Sequence, residues 1–168
     1  TLLKMLEEPT SGIYAIFTTN NISRVLPTIL SRCQVIDIKP DSKEVIYKAL
    51  IKSNIPEEAA KILTYLSASE EEAKNLYDER FEYMQTEVIN FIEDLYTKRM
   101  NLIINVQTNL LKNYKERNDI KLFLNMLVLA MKDMFHVKHN QNLVFSAHYD
   151  FFNSLQIDEN KLIKQIEI

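Results

Sequence analysis

Apolar residues recur along most of this chain at intervals of three and four, the spacing that gathers them on one face of a helix. Leu2, Leu3, Met5 and Leu6 make one such turn, and Glu7-Glu8-Pro9 closes it, because proline drives the residue before it out of helical geometry. Beyond Lys39-Pro40 the helical spacing becomes continuous. Asp41-Ser42-Lys43-Glu44 and Ser69-Glu70-Glu71-Glu72 each offer a side-chain oxygen with Glu three residues on, the signature of a helix start, and Pro56-Glu57-Glu58 opens a further helix between them. Three short helices are therefore expected between 41 and 76. From Tyr77 the seam lengthens through Phe81, Met84, Val88, Phe91 and Leu95. Met100, Ile103, Ile104, Leu110, Leu111 and Tyr114 form a second long segment, and Leu122 to Phe135 is apolar on nearly every face, which predicts a helix surrounded by protein. Phe145, Tyr149, Phe152 and Leu155 predict a fourth segment, and Leu162, Ile163 and Ile166 a fifth.

Two stretches break this pattern. Ile13-Tyr14-Ala15-Ile16-Phe17 is an unbroken apolar run between Gly12 and Thr18-Thr19-Asn20-Asn21, the pattern of a strand buried on both faces of a parallel sheet. Val35-Ile36-Asp37-Ile38 alternates like a strand with one covered face. In open α/β sheets ligands lie at the carboxyl edge, which would place Thr18, Thr19, Asn20 and Asn21 beside one; the same four residues also read as an ordinary polar turn. Between the two runs, Leu26 to Leu30 forms a short helix with Pro27 at its first position, where a missing N–H is harmless. Ser31-Arg32-Cys33 comes directly after it and sets an exposed, permanently charged side chain at the end of that turn.

Composition narrows the field. One Gly and four Pro in 168 residues leave few turn formers for a sheet protein, so the fold class is mostly α. A hydrophobic fraction of 46% against 26% charged is globular, and no apolar run approaches the eighteen or so residues that a membrane span requires. The formal charge of -3 supplies no broad field for nucleic acid. A single Cys, with no basic and apolar leader, suits the cytoplasm. Thr1 falls inside an apolar helical pattern, and the sequence is expected to be a piece of a larger protein.

The candidate chemistry is sparse. His136 and His139 share a helix face, but no Cys, Asp or Glu is expected to complete a metal site around them, and beside Lys132 and Lys138 they read as charges favoured at a helix C-terminus. Glu57-Glu58 and Glu70-Glu71-Glu72 fall in first helical turns, where the dipole favours acid. The aromatic rings at 77, 81 and 91 keep helical spacing and read as core rather than as base-stacking platforms. No nucleophile has a partner, and no GxxxxGK[ST] loop is present to cradle phosphate. No metal or cofactor site is expected in these residues, and the chain itself is expected to be catalytically inactive. Arg32 remains, and as a lone arginine it is also compatible with an ordinary surface ion pair.

Leu2-Leu3-Lys4-Met5-Leu6-Glu7-Glu8-Pro9, an apolar run ending in Thr18-Thr19, and Leu26-Pro27-Thr28-Ile29-Leu30-Ser31-Arg32-Cys33 together resemble the bacterial clamp-loader AAA+ family of DNA polymerase III. The resemblance is strong over residues 1 to about 40 and rests beyond them on the arrangement of helices. It implies that Arg32, supported by Ser31 and Cys33, is an arginine finger acting on Mg-ATP bound by a neighbouring subunit, and that Thr18, Thr19, Asn20 and Asn21 form the sensor 1 stretch. It further implies the C-terminal part of an AAA+ α/β domain over 1–40, a three-helix lid domain over 41–76 and a helical-bundle collar for oligomerisation over 77–168.

In ATP-binding relatives a sensor 2 arginine lies near the start of the third lid helix. Here Ser67-Ala68-Ser69-Glu70-Glu71-Glu72-Ala73-Lys74 has no arginine and is acidic. That departure favours a noncatalytic subunit of the loader, within the polymerase holoenzyme, over a truncated tau or gamma ATPase. The implied partners are tau, gamma and delta subunits in a hetero-oligomeric ring, with the sliding clamp and primer-template DNA met indirectly. A helical scaffold unrelated to nucleotides is the remaining alternative.

Overall fold

The computed structural model describes residues 2–7, 12–97, 102–103 and 106–155. Its chain divides into two compact units, Thr1–Lys39 and Pro40–Ile168.

The first unit holds two short helices, α1 (Leu2–Glu7) and α2 (Pro27–Leu30), which pack on each other. Pro27 occupies the opening of α2, where its fixed φ suits the helix. A single 3-10 turn, Ile22–Arg24, precedes α2 and is capped by the Asn21 side chain, which accepts the N–H of Ser23 at 3.1 Å. The strand expectation fails in this unit. Neither Ile13–Phe17 nor Val35–Ile38 forms a strand among the described residues, and Tyr14, Ile16 and Ile38 are 94%, 90% and 87% exposed. An apolar run becomes a strand only when neighbours complete its hydrogen-bond ladder and cover its faces, and these two segments do neither for each other.

The second unit is helical throughout its described secondary structure. Helices α3 (Lys43–Lys52), α4 (Glu57–Leu66) and α5 (Glu70–Leu76) pack mutually. Their starts obey the sequence signals. Ser42 accepts the N–H of Val45, and Ser69 accepts that of Glu72 at 3.2 Å. Glu72 in turn reaches back to the N–H of Ala68 at 2.7 Å, one residue before the cap. Asp41 joins two helix starts: its N–H donates to the carbonyl of Ala68 at 2.9 Å and its Oδ2 accepts the N–H of Glu70 at 3.3 Å. The acidic first turn of α5 is thus occupied by capping and by the Glu70–Lys74 ion pair.

Helix α6 (Glu79–Thr97) lies against α8 (Arg117–Lys138), which also receives α4 and the short α9 (Tyr149–Ser154). Between α6 and α8, residues 102–103 are helical and Val106–Leu110 forms a π turn that runs into α7 (Leu111–Asn113), within the segment that the sequence predicts as helix. Of that expected segment, Met100 and Ile104 lie outside the described residues, Ile103 is exposed and Tyr114 is buried. Leu162, Ile163 and Ile166 also lie outside them.

One core joins Ile46, Leu50, Ile62 and Leu63 of the three-helix group to Phe81, Met84, Val88 and Ile92 of α6 and to Phe123, Met126, Ala130 and Met134 of α8. Burying each Leu, Ile, Met or Phe side chain contributes about 1.5–3 kcal/mol. Two details depart from the sequence expectation. The α6 seam turns inward at Ile92, with Phe91 only half-buried, because a straight helix repeats at 3.6 residues and drifts from a seam read at 3.5. Helix α8 is not covered on every side: Leu124 is 51% exposed, while its neighbour Phe123 is fully buried.

Helices α3 and α8 end alike. Asn54 and Asn140 take φ of 59° and 52°, and in each case the residue after Asn donates its N–H to the carbonyl five positions back, Ile55 to Leu50 and Gln141 to His136. These are Schellman turns, in which asparagine takes the left-handed position that glycine usually holds.

Candidate functional site

The Arg32 turn is built from the end of α2. Ser31 donates its N–H to the carbonyl of Pro27 at 3.0 Å, Arg32 to Ile29 at 3.0 Å and Cys33 to Leu30 at 3.4 Å, so these residues wrap the last carbonyls of a four-residue helix. The Ser31 hydroxyl donates to the carbonyl of Thr28 at 3.2 Å. The Cys33 thiol is free and half-buried.

Within this wrap the Arg32 guanidinium makes three contacts. Nη1 donates to the carbonyl of Thr28 at 2.9 Å and to the Ser31 hydroxyl at 3.3 Å. Nη2 donates to Glu7 Oε1 at 2.7 Å, an ion pair across twenty-five residues between the last residue of α1 and the turn after α2. Both side chains are partly solvated, at 35% and 52% exposure, so the pair is screened and contributes no more than about 1 kcal/mol. Its chemical meaning lies in the cation. A planar, permanently charged fork is suited to phosphate or carboxylate oxygens.

Thr18, Thr19, Asn20 and Asn21 are exposed. Thr19 Oγ1 donates to the carbonyl of Asn21 and accepts its N–H, both at 3.1 Å, closing a tight polar loop before the Ile22–Arg24 turn. Among the described residues no hydrogen bond joins this loop to Arg32. The structure therefore brings Ser31 and Arg32 together with Thr28 and Glu7, and leaves Thr19 and Asn21 engaged with each other and Asn21 with Ser23.

In the second unit, buried Asp133 accepts the N–H groups of Val144 and Phe145. Its other oxygen lies 3.6 Å from Nδ1 of His136, an acid that the sequence reading passes over although it stands three residues before that histidine. His139 closes α8 as its C-cap and stacks against Phe135 at 4.4 Å between ring centres. Among the described residues no group of three metal-ligating side chains converges. None of their helices is long and apolar enough to cross a membrane.

Residues 1–42, which contain α1, α2 and the Arg32 turn, match the family model described as DNA polymerase III, delta subunit. The chain is also 27% identical over 158 residues to the DNA polymerase III subunit delta' of Bacillus subtilis, an alignment covering 92% of this chain and 47% of that protein. Both matches make the chain similar to DNA polymerase III subunits of the delta and delta-prime kind. It spans about half the length of this delta-prime relative, and the alignment runs through the helices that the family model does not reach. No solved structure matches it.

Sequence reasoning misses Glu7, which reads there only as the end of a helix. A signal is present: Glu7 closes α1, where the helix dipole disfavours a carboxylate, and an acid at such a position calls for a cation from elsewhere.

Proposed function

We propose that this protein is a noncatalytic component of the sliding-clamp loader in DNA replication, a delta-prime-type subunit that offers Arg32 in trans to Mg-ATP held by a neighbouring ATPase subunit. The observation that carries this reading is the Ser31-Arg32-Cys33 turn, presented at the end of α2 within the 42 residues that match the family model. Arg32 brings a fork that pairs with phosphate oxygens, and a finger supplied in trans stabilises charge that a P-loop alone leaves exposed. The lack of arginine in Ser67–Lys74, with Glu72 committed to capping and Glu70 to Lys74, supports a subunit without a sensor 2 contact of its own.

In this reading residues 1–40 close an AAA+ domain, 41–76 form the lid and 77–168 the collar that packs in a ring with tau, gamma and delta subunits. Thr18 to Asn21 take the sensor 1 position. The clamp and primer-template DNA are met through the ring.

The test is Arg32→Ala in a loader reconstituted with this subunit. The ring is expected to assemble normally by light scattering, while ATP hydrolysis stimulated by clamp and DNA falls about tenfold, less than the roughly 10³ to 10⁵ that fingers supply in other nucleotide hydrolases. Unchanged hydrolysis and clamp loading would leave Arg32 an ordinary surface residue.

A further inference from the structure

We propose that Glu7 is the counter-ion that holds Arg32 folded back over α2 and releases it when a phosphate arrives from the neighbouring subunit. This rests on the finger reading above.

The guanidinium is retracted in the structure. Two of its three contacts are to its own turn, the Thr28 carbonyl and the Ser31 hydroxyl, and the third is to Glu7 Oε1. A side chain that bends back to the carbonyl four residues earlier does not project into a neighbour. Glu7 is the one charged group among these three partners, and a carboxylate offers the fork the same kind of anionic oxygen that a phosphate does. The two anions therefore compete for one cation, and they cannot share it closely without repulsion.

The geometry also allows the exchange. Arginine has five N–H donors, and among the described residues the three contacts leave Nε and the second Nη2 proton to meet an incoming oxygen before Glu7 departs. The pair is partly solvated, so its loss is easily offset by a phosphate carrying more charge. A carboxylate at the C-terminal end of α1 gains nothing from its own helix, so the Arg32 contact accounts for its placement.

In a reconstituted loader, Glu7→Gln is expected to raise ATP hydrolysis without clamp or DNA by about twofold to fivefold, the factor by which one exposed ion pair shifts an equilibrium. The rise should appear in kcat, with KM for ATP unchanged. Glu7→Asp, which keeps the charge, should stay near the unmodified protein, and Glu7→Gln should have no effect once Arg32 is alanine. If Arg32→Ala lowers hydrolysis but Glu7→Gln leaves it unchanged or lowers it, the counter-ion role is wrong and the finger reading stands. If Glu7→Gln raises hydrolysis even with Arg32→Ala, Glu7 acts elsewhere and the proposal is overturned. If Arg32→Ala alone changes nothing, both readings fail together.

Discussion

Buried Asp133 reaches twelve residues forward to accept the backbone N–H of Phe145 at 2.6 Å, and the same oxygen takes the N–H of Val144 at 2.8 Å. One carboxylate thereby fixes the return of the chain after α8 and delivers Phe145 and Phe152 to the core. Asp133→Ala strands two buried donors, each worth about 1–3 kcal/mol when unsatisfied. The expected loss is about 2–4 kcal/mol in urea unfolding, with faster amide exchange at 144 and 145 than in the unmodified protein. Exchange rates unchanged at those two amides would contradict the anchoring role.

The same carboxylate sets a pH dependence. Burial pushes the Asp133 pKa up, while its two backbone bonds and neighbouring His136 pull it down less strongly. A raised folded pKa means that its contribution to stability is complete below the unfolded value near 4 and is lost as pH rises through the folded value. Asn in its place can accept both N–H groups without ionising. The stability of the unmodified protein relative to Asp133→Asn should therefore rise as pH falls from neutral toward about 4. A difference flat across that range would show that Asp133 titrates as it does in the unfolded chain.

Adjacent residues of α8 should answer differently to truncation. Phe123→Ala removes a fully buried ring that meets Phe91 and Tyr114 and is expected to cost about 3–5 kcal/mol. Leu124→Ala, at a half-exposed site, should cost under about 1 kcal/mol. Equal losses in thermal unfolding would mean that α8 is enclosed on all sides after all.

Arg32→Lys separates charge from shape. Lysine keeps the positive charge but has one ammonium where the fork spans Thr28, Ser31 and Glu7. Hydrolysis by the reconstituted loader should fall nearly as far as with Arg32→Ala. Recovery to within twofold of the unmodified protein would show that charge alone suffices.

The helices of the second unit are legible because their signals are local. Ser42 and Ser69 cap the helices that begin beside them, and apolar spacing along α4 and α6 names most of the buried face. The two apolar runs of the first unit read as strands from their local pattern, which cannot report whether a pairing neighbour is there. Helix ends at Asn54 and Asn140 are readable in principle, since asparagine tolerates left-handed geometry, but glycine is the usual sign of such an end and neither position has one. Arg32 stands out as an exposed cation after a proline-started turn. Its partner Glu7 does not, because a contact across twenty-five residues leaves no periodicity, and the same holds for the reach from Asp133 to Phe145.

Cys33 gives this architecture a practical consequence. It is the single cysteine of the sequence, its thiol is free and half-buried, and its backbone belongs to the same wrap of α2 that carries Arg32. Thiol-directed fluorophores or spin labels would report from beside the guanidinium without any cysteine having to be removed first from these residues. The accessibility of that sulfur becomes a clock for the neighbourhood: if the turn rearranges when a phosphate takes the guanidinium from Glu7, the rate of alkylation at Cys33 records it, with no engineered attachment point.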